Sequence, residues 1–214
     1  MRNLLRPFTT PMGRKNTEAV TGTLLLLFCA EHLAANLFLL WPDPTPYQWY
    51  TESLGRSLLI RIMEVGLFAL FFIHIGLGLK MRLHQRRIRK MNPRIPKVTN
   101  FATRTVGYTG IVILIFLVIH LARFFVPNRI TRPETFDLYA QAHIAFANIW
   151  YMLFYVASMA ALGFHLRHGI KSALFSFKRL PPSSIPKLRT VGGWMAIIIP
   201  AGLAYIAVHI YITQ

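Results

Sequence analysis

A single cysteine, Cys29, stands in a chain of 214 residues. It excludes an intramolecular disulfide and cannot by itself build an iron–sulfur or zinc centre. Acidic side chains are also scarce: Asp and Glu number 7 against 24 Lys and Arg, and only 14% of the chain is charged. So low a charge content argues against a soluble domain. The formal net charge of +17 would suit a nucleic-acid binder, but such a protein would not carry long apolar runs, so nucleic acid is not an expected partner. No small-residue cleavage site follows the basic stretch 1–15, which is read as a cytoplasmic leader and not a signal peptide.

What is abundant is apolar sequence, 54% of the residues, with a mean hydropathy of +0.44. It falls into five segments, about 17–41, 58–79, 106–126, 145–170 and 191–212, each long enough to cross a bilayer as a helix. The expected fold is therefore all-α: one membrane domain over 1–214 with five transmembrane helices. The first connection, Trp41-Pro-Asp-Pro-Thr-Pro46, is proline-rich and weakly acidic, with Tyr47, Trp49 and Tyr50 at interface depth. The second carries Lys80, Arg82, Arg86, Arg87, Arg89, Lys90, Arg94, Lys97 and Arg104, and the fourth Lys171, Lys178, Arg179, Lys187 and Arg189. Short loops rich in Lys and Arg stay in the cytoplasm, so the N-terminus is expected inside and the C-terminus outside.

Four of these segments each contain a histidine well inside the apolar run: His32, His74, His120 and His165. An ionisable group within a span is costly and marks a functional site by default. His32 and His120 lie on outward-running spans, both roughly 23 Å from the cytoplasmic start at 1.5 Å per residue. His74 and His165 lie on inward-running spans and come near the cytoplasmic side. The histidines thus match in depth as two pairs, first span with third and second with fourth. A haem iron takes axial ligands on opposite faces, and imidazole suits iron. Two facing helices offering one histidine each at equal height supply that geometry, so the first four spans are expected to form a bundle binding two haem b groups. With one cysteine no Cys-x-x-Cys-His attachment is possible, and the haems would be non-covalent. Gly76, Gly78, Gly163 and Gly169 would let a flat macrocycle approach the backbone. His168, one turn beyond His165, is the competing ligand on the fourth span; His84 lies in the basic cytoplasmic run and is read as solvated, His143 lies in the outer loop or cap of the fourth span and is not expected to ligate, and His209 lacks a partner at its height.

The order and spacing of several short motifs carry a resemblance. They are Gly13-Arg-Lys15, then Thr21-Gly22 leading to His32-Leu-Ala-Ala-Asn36, and Glu64 followed by His74. Thr103-Arg104-Thr105, Gly110, Phe116 and His120-Leu-Ala-Arg-Phe124 follow in the third span, and Asn148-Ile-Trp-Tyr151 with Gly163-Phe-His165-Leu-Arg-His-Gly169 in the fourth. The chain resembles the membrane-anchor cytochrome b subunits of succinate:quinone reductases and fumarate reductases, in their single-chain, five-span, di-haem form. The likeness covers spans one to four, and the fifth by position only. It implies ligand pairs His32/His120 for an outer haem and His74/His165 for an inner one. The family's fourth-span ligand precedes a glycine by four positions, which favours His165 over His168.

The resemblance further implies a flavoprotein and an iron–sulfur subunit docked on the cytoplasmic face of a bacterial inner membrane. Electrons would pass from the inner to the outer haem and on to a quinone, menaquinone in preference to ubiquinone. The chain itself shows no flavin motif, cysteine cluster or dicarboxylate pocket, so it would not oxidise succinate alone. Arg104 and Lys15 lie where they could pair with haem propionates through charge-assisted bonds, although Lys15 equally suits lipid headgroups. Glu31, Arg61 and Glu64 are the polar groups at suitable depth for a quinone headgroup. Arg61 and Glu64 at helical spacing equally form a structural ion pair, and Glu31 could simply orient an imidazole. Some fumarate reductases carry a glutamate where this chain has Gly163, which leans the expectation to succinate oxidation. Two alternatives stay open: a di-haem cytochrome b subunit of a hydrogenase or formate dehydrogenase, and a haem-free transporter or scaffold using its histidines for protons.

Overall fold

A computed structural model describes residues 6–92, 101–131, 136–176 and 181–214. A short turn, α1 (Arg6–Thr9), precedes α2 (Pro11–Asn36). Thr10 caps α2: its hydroxyl accepts from the Gly13 amide at 3.0 Å, and Pro11 occupies a position where its missing N–H costs nothing. Asn36 closes the helix by donating to the His32 carbonyl at 2.7 Å, and the chain tightens into a 3₁₀ turn over Leu37–Leu40. The segment expected as a plain connection then forms a helix, α3 (Thr45–Arg56). Its prolines explain why this is possible, because Pro46 lies in the first turn, where proline is tolerated. Tyr47 is buried beneath α3 and Trp49 is 70% exposed, as expected of a helix lying in an interface.

The second span is α4 (Leu58–Met91), whose 34 residues make about 51 Å of helix. That overruns a hydrocarbon core of about 30 Å, so the basic run from Lys80 to Lys90 continues the same helix. The third span begins as α5 (Phe101–His120) and does not stop at 126. It continues through two π-helical turns, Leu121–Phe125 and Pro127–Thr131. The wider turn begins directly after His120, and such bulges are frequent at functional sites.

The fourth apolar segment is divided. Helix α6 (Leu138–Ala147), capped by the Asp137 carboxylate accepting from the Tyr139 amide at 2.8 Å, is separate from α7 (Ile149–Ser176). Asn148 makes the break: its backbone is extended, and its Oδ1 accepts from the amides of Trp150 (2.9 Å) and Tyr151 (3.1 Å), starting a new helix. The expected start at 145 is therefore moved, since Ala145 and Phe146 belong to α6. The fifth span is α8 (Ser184–Ile212), which contains Pro200.

Five of these helical stretches are long and apolar enough to cross a membrane, Pro11–Leu40, Leu58–Met91, Thr105–Thr131, Ile149–Ser176 and Ser184–Ile212, which makes this a multi-pass membrane protein by length and composition. A helix pairs most of its backbone groups internally, the condition for crossing lipid. Packing is uneven among them. Helices α7 and α8 hold the tightest seam, through Met152, Tyr155, Met159, Ile199, Ile206 and Ala207. Gly163 lets the two helices approach: a Cβ there would lie 3.3 Å from the Ala196 carbonyl oxygen and 3.4 Å from the Pro200 ring. On α4 and α5, by contrast, Leu77 is the one buried side chain among those described.

In lipid the helices gain little from the hydrophobic effect, so close van der Waals fit carries the association. Ala207 and Ile210 are 0% exposed in the α7–α8 seam. Ala207→Leu is therefore expected to cost about 1–3 kcal/mol by overpacking. A lower melting temperature of detergent-purified protein checks this, with Val65→Leu (71% exposed) as the silent control.

Candidate functional site

The helices bring the four intramembrane histidines together in two pairs. His32 of α2 faces His120 at the end of α5, with ring centres 5.8 Å apart and planes at 85°. His74 of α4 faces His165 of α7, with ring centres 6.2 Å apart and planes at 75°. The first pair lies towards the α3 and α6 end, the second towards the end that carries the basic residues. His165, not His168, makes the ring contact with His74. His143 stacks on Tyr139 in α6 (4.2 Å), His209 stacks on Tyr205 in α8 (5.7 Å), and His84 is exposed.

An imidazole nitrogen binds a first-row metal at about 2.0–2.1 Å, and the ring centre lies about 1.1 Å further back. Two imidazoles on opposite sides of one metal therefore place their centres roughly 6.3 Å apart. Both observed separations are close to that figure. Among the described residues no cluster of three or more His, Cys, Asp or Glu could hold a metal ion unaided. Two imidazoles are half a zinc site, but they are a full axial set for iron already held by a porphyrin.

The surroundings of each pair suit a flat apolar group. At the first pair Phe28 stacks on His32 (5.4 Å, 29°) and Phe116 on His120 (5.5 Å, 23°), each one helical turn from its histidine. The Tyr155 hydroxyl lies 3.3 Å from His120 Nδ1. At the second pair two glycines take the place of rings. A Cβ on Gly22 would lie 3.2 Å from His74 Cε1, and one on Gly110 would lie 3.6 Å from His165 Cε1. The buried Nδ1 of His165 has no hydrogen-bond partner in the structure.

Two arginines near the second pair went unrecognised in the sequence. Arg14 and Arg82 each bury a guanidinium Nε without a partner. Arg14 is one turn before Glu18, whose carboxylate lies 3.6 Å from His74 Nδ1. Arg82 crosses to α5, where its guanidinium lies over the Tyr108 ring at 5.2 Å and fills the space above Gly107. Lys15 is exposed, and the Arg104 side chain lies outside the described residues. The signal for Arg82 was available as helical spacing: Gly78 and Arg82 follow His74 at four-residue steps.

The three polar residues considered for a quinone headgroup fall into two clusters. Glu31 accepts from the Tyr50 hydroxyl of α3 at 2.5 Å. Burial, followed by that hydrogen bond, pushes the Tyr50 phenol up to about 12, so Tyr50 is the donor at any physiological pH. Tyr50 also borders a cleft of about 400 Å³ with Phe38, Asp43, Thr45, Pro46 and Trp49. Glu64 instead pairs with Arg61 at 3.5 Å and with Arg129 at 2.6 Å. Arg129 lies beyond the segment 106–126 expected to span, and the π-turn over Pro127–Thr131 carries it back against α4.

Comparison of the chain with known protein families, with curated proteins and with solved structures returned no match. The fold and the paired histidines thus stand on their own geometry.

Arg129 is 14% exposed and Glu64 22%, so removing one partner strands a partly desolvated charge. Arg129→Leu and Glu64→Leu are each expected to lower the melting temperature. The double variant should recover part of the loss, with a coupling of about 1–3 kcal/mol. Purely additive losses in the cycle would contradict a working ion pair.

Proposed function

We propose that this chain is the di-haem cytochrome b membrane anchor of a succinate:quinone oxidoreductase. In that role it would link an iron–sulfur subunit to quinone in a bacterial inner membrane. The observation that carries the reading is the pair of ring separations, 5.8 and 6.2 Å, at two levels of one helical bundle. Bound haem b would supply reversible one-electron chemistry.

In this reading His32 and His120 hold the outer haem and His74 and His165 the inner one. Phe28 and Phe116 flank the outer ligands and exclude water. Gly22 and Gly110 leave room beside the inner ligands. Arg14 and Arg82 are the propionate partners that best suit the inner level, each with a buried Nε needing an acceptor. They take precedence over Lys15, whose side chain is exposed. The quinone site proposed is the Tyr50–Glu31 cluster, where the Tyr50 hydroxyl, bonded to Glu31, borders an apolar cleft. Glu64 is less suited to that task, because two arginines already engage it. The Lys- and Arg-rich loops support a cytoplasmic N-terminus, and the flavoprotein and iron–sulfur subunits are proposed on that face.

The test is haem content and spectrum of the purified membrane complex. Two haem b per chain are expected, with sharp bis-imidazole bands on reduction by dithionite. His74→Ala or His165→Ala should leave one haem per chain, the outer; His32→Ala or His120→Ala should leave the inner. Loss of both haems from every variant contradicts the pairing, and a wild-type chain without haem bands ends the reading. A covalent flavin in a co-purifying subunit separates complex II from a hydrogenase or formate dehydrogenase.

A further inference from the structure

The two histidine pairs differ in what lies behind them. Behind His74, α2 presents Thr21 and Glu18 on one face. Thr21 Oγ1 is 3.2 Å from His74 Nδ1, and Glu18 Oε1 is 3.6 Å from the same nitrogen. The Thr21 hydroxyl proton is already used, since Oγ1 donates to the carbonyls of Thr17 (2.9 Å) and Glu18 (3.2 Å). Such back-bonding to the preceding turn is habitual for threonine in helices. With its proton directed at those carbonyls, the oxygen is available to accept from His74. Thr21 is 4% exposed, so no water competes for the contact. Glu18 is kept close by α4: a Cβ on Gly78 would lie 3.0 Å from Glu18 Oε1, so a larger residue there would push the carboxyl aside.

We infer that Thr21 is a positioning residue for His74, accepting from Nδ1 and leaving Nε2 towards His165, with the Glu18 side chain next to the same nitrogen but not bonded to it. This rests on the haem reading above. An acceptor on the far nitrogen orients an axial imidazole and makes it a more basic ligand, which favours the ferric state. The assignment is specific to the inner pair, because the neighbour of His120 Nδ1 is the Tyr155 phenol, which can donate as well as accept.

The experiment is a potentiometric titration of the purified complex, following each haem optically, with electron paramagnetic resonance of the oxidised form. Thr21→Val removes the hydroxyl at constant shape, and Thr21→Ser keeps it. In Thr21→Val the inner haem is expected to become easier to reduce by about tenfold in equilibrium constant, 59 mV for one electron. Its low-spin ferric signal should also move, with the outer haem unchanged. Thr21→Ser should match the wild type. Thr21→Ala carries the same expectation should Thr21→Val fail to accumulate. An inner-haem potential and signal that ignore all these substitutions overturn the assignment, as does an equal shift of both haems. A wild-type protein without haem bands would overturn the function reading and this assignment together.

Discussion

An imidazole inside hydrocarbon has nowhere to place its polar nitrogens unless another element meets it there. That requirement arranges much of this molecule. Helix α2 meets α5 at His32 and His120, and α4 meets α7 at His74 and His165. Around the first meeting the chain provides aromatic rings at one-turn spacing, and around the second it provides glycines, a hydroxyl and a carboxylate. The two sites are alike in ring separation and unlike in environment. On the proposed di-haem reading, those unlike surroundings would set the two centres apart in potential.

The remaining helices support this arrangement from one side. The α7–α8 seam is closely packed around Gly163, Ala196 and Pro200, and buries Ala207 and Ile210 completely. Gly163 thereby has a packing reason to lack a side chain. At the opposite end α3 and α6 fold over the bundle. Gln48 donates to Asp137 at 2.9 Å and Tyr139 donates to the Trp41 carbonyl at 2.8 Å, tying the two short helices and the end of α2 together. The Arg61–Glu64–Arg129 group fastens α4 to the last turn of the third span at the same end. The half of the bundle formed by α4 and α5 buries little of its own side-chain surface.

Depth along a span is simple arithmetic on the chain, since a helix rises by a constant amount per residue. That is why five spans, and the two levels at which their histidines lie, could be read from hydropathy and spacing alone. The places where the reading went astray share one cause. Asn148 splits an apolar run, Pro127 is carried inside a π-turn, and Thr45–Arg56 is helical despite its prolines. Hydropathy averages over such positions, whereas the backbone responds to a single cap or a missing N–H.

By itself, then, the sequence determined the number of spans, the basic end, and which histidines share a level, because apolar length, charge placement and helical rise are local properties. Only the tertiary structure decided what stands beside each histidine. Thr21 and Glu18 reach His74, Tyr155 reaches His120, Arg82 crosses to Tyr108, and Arg129 returns to Glu64. Those contacts depend on the rotation of each helix about its axis, and packing between spans sets that angle where residue counting does not.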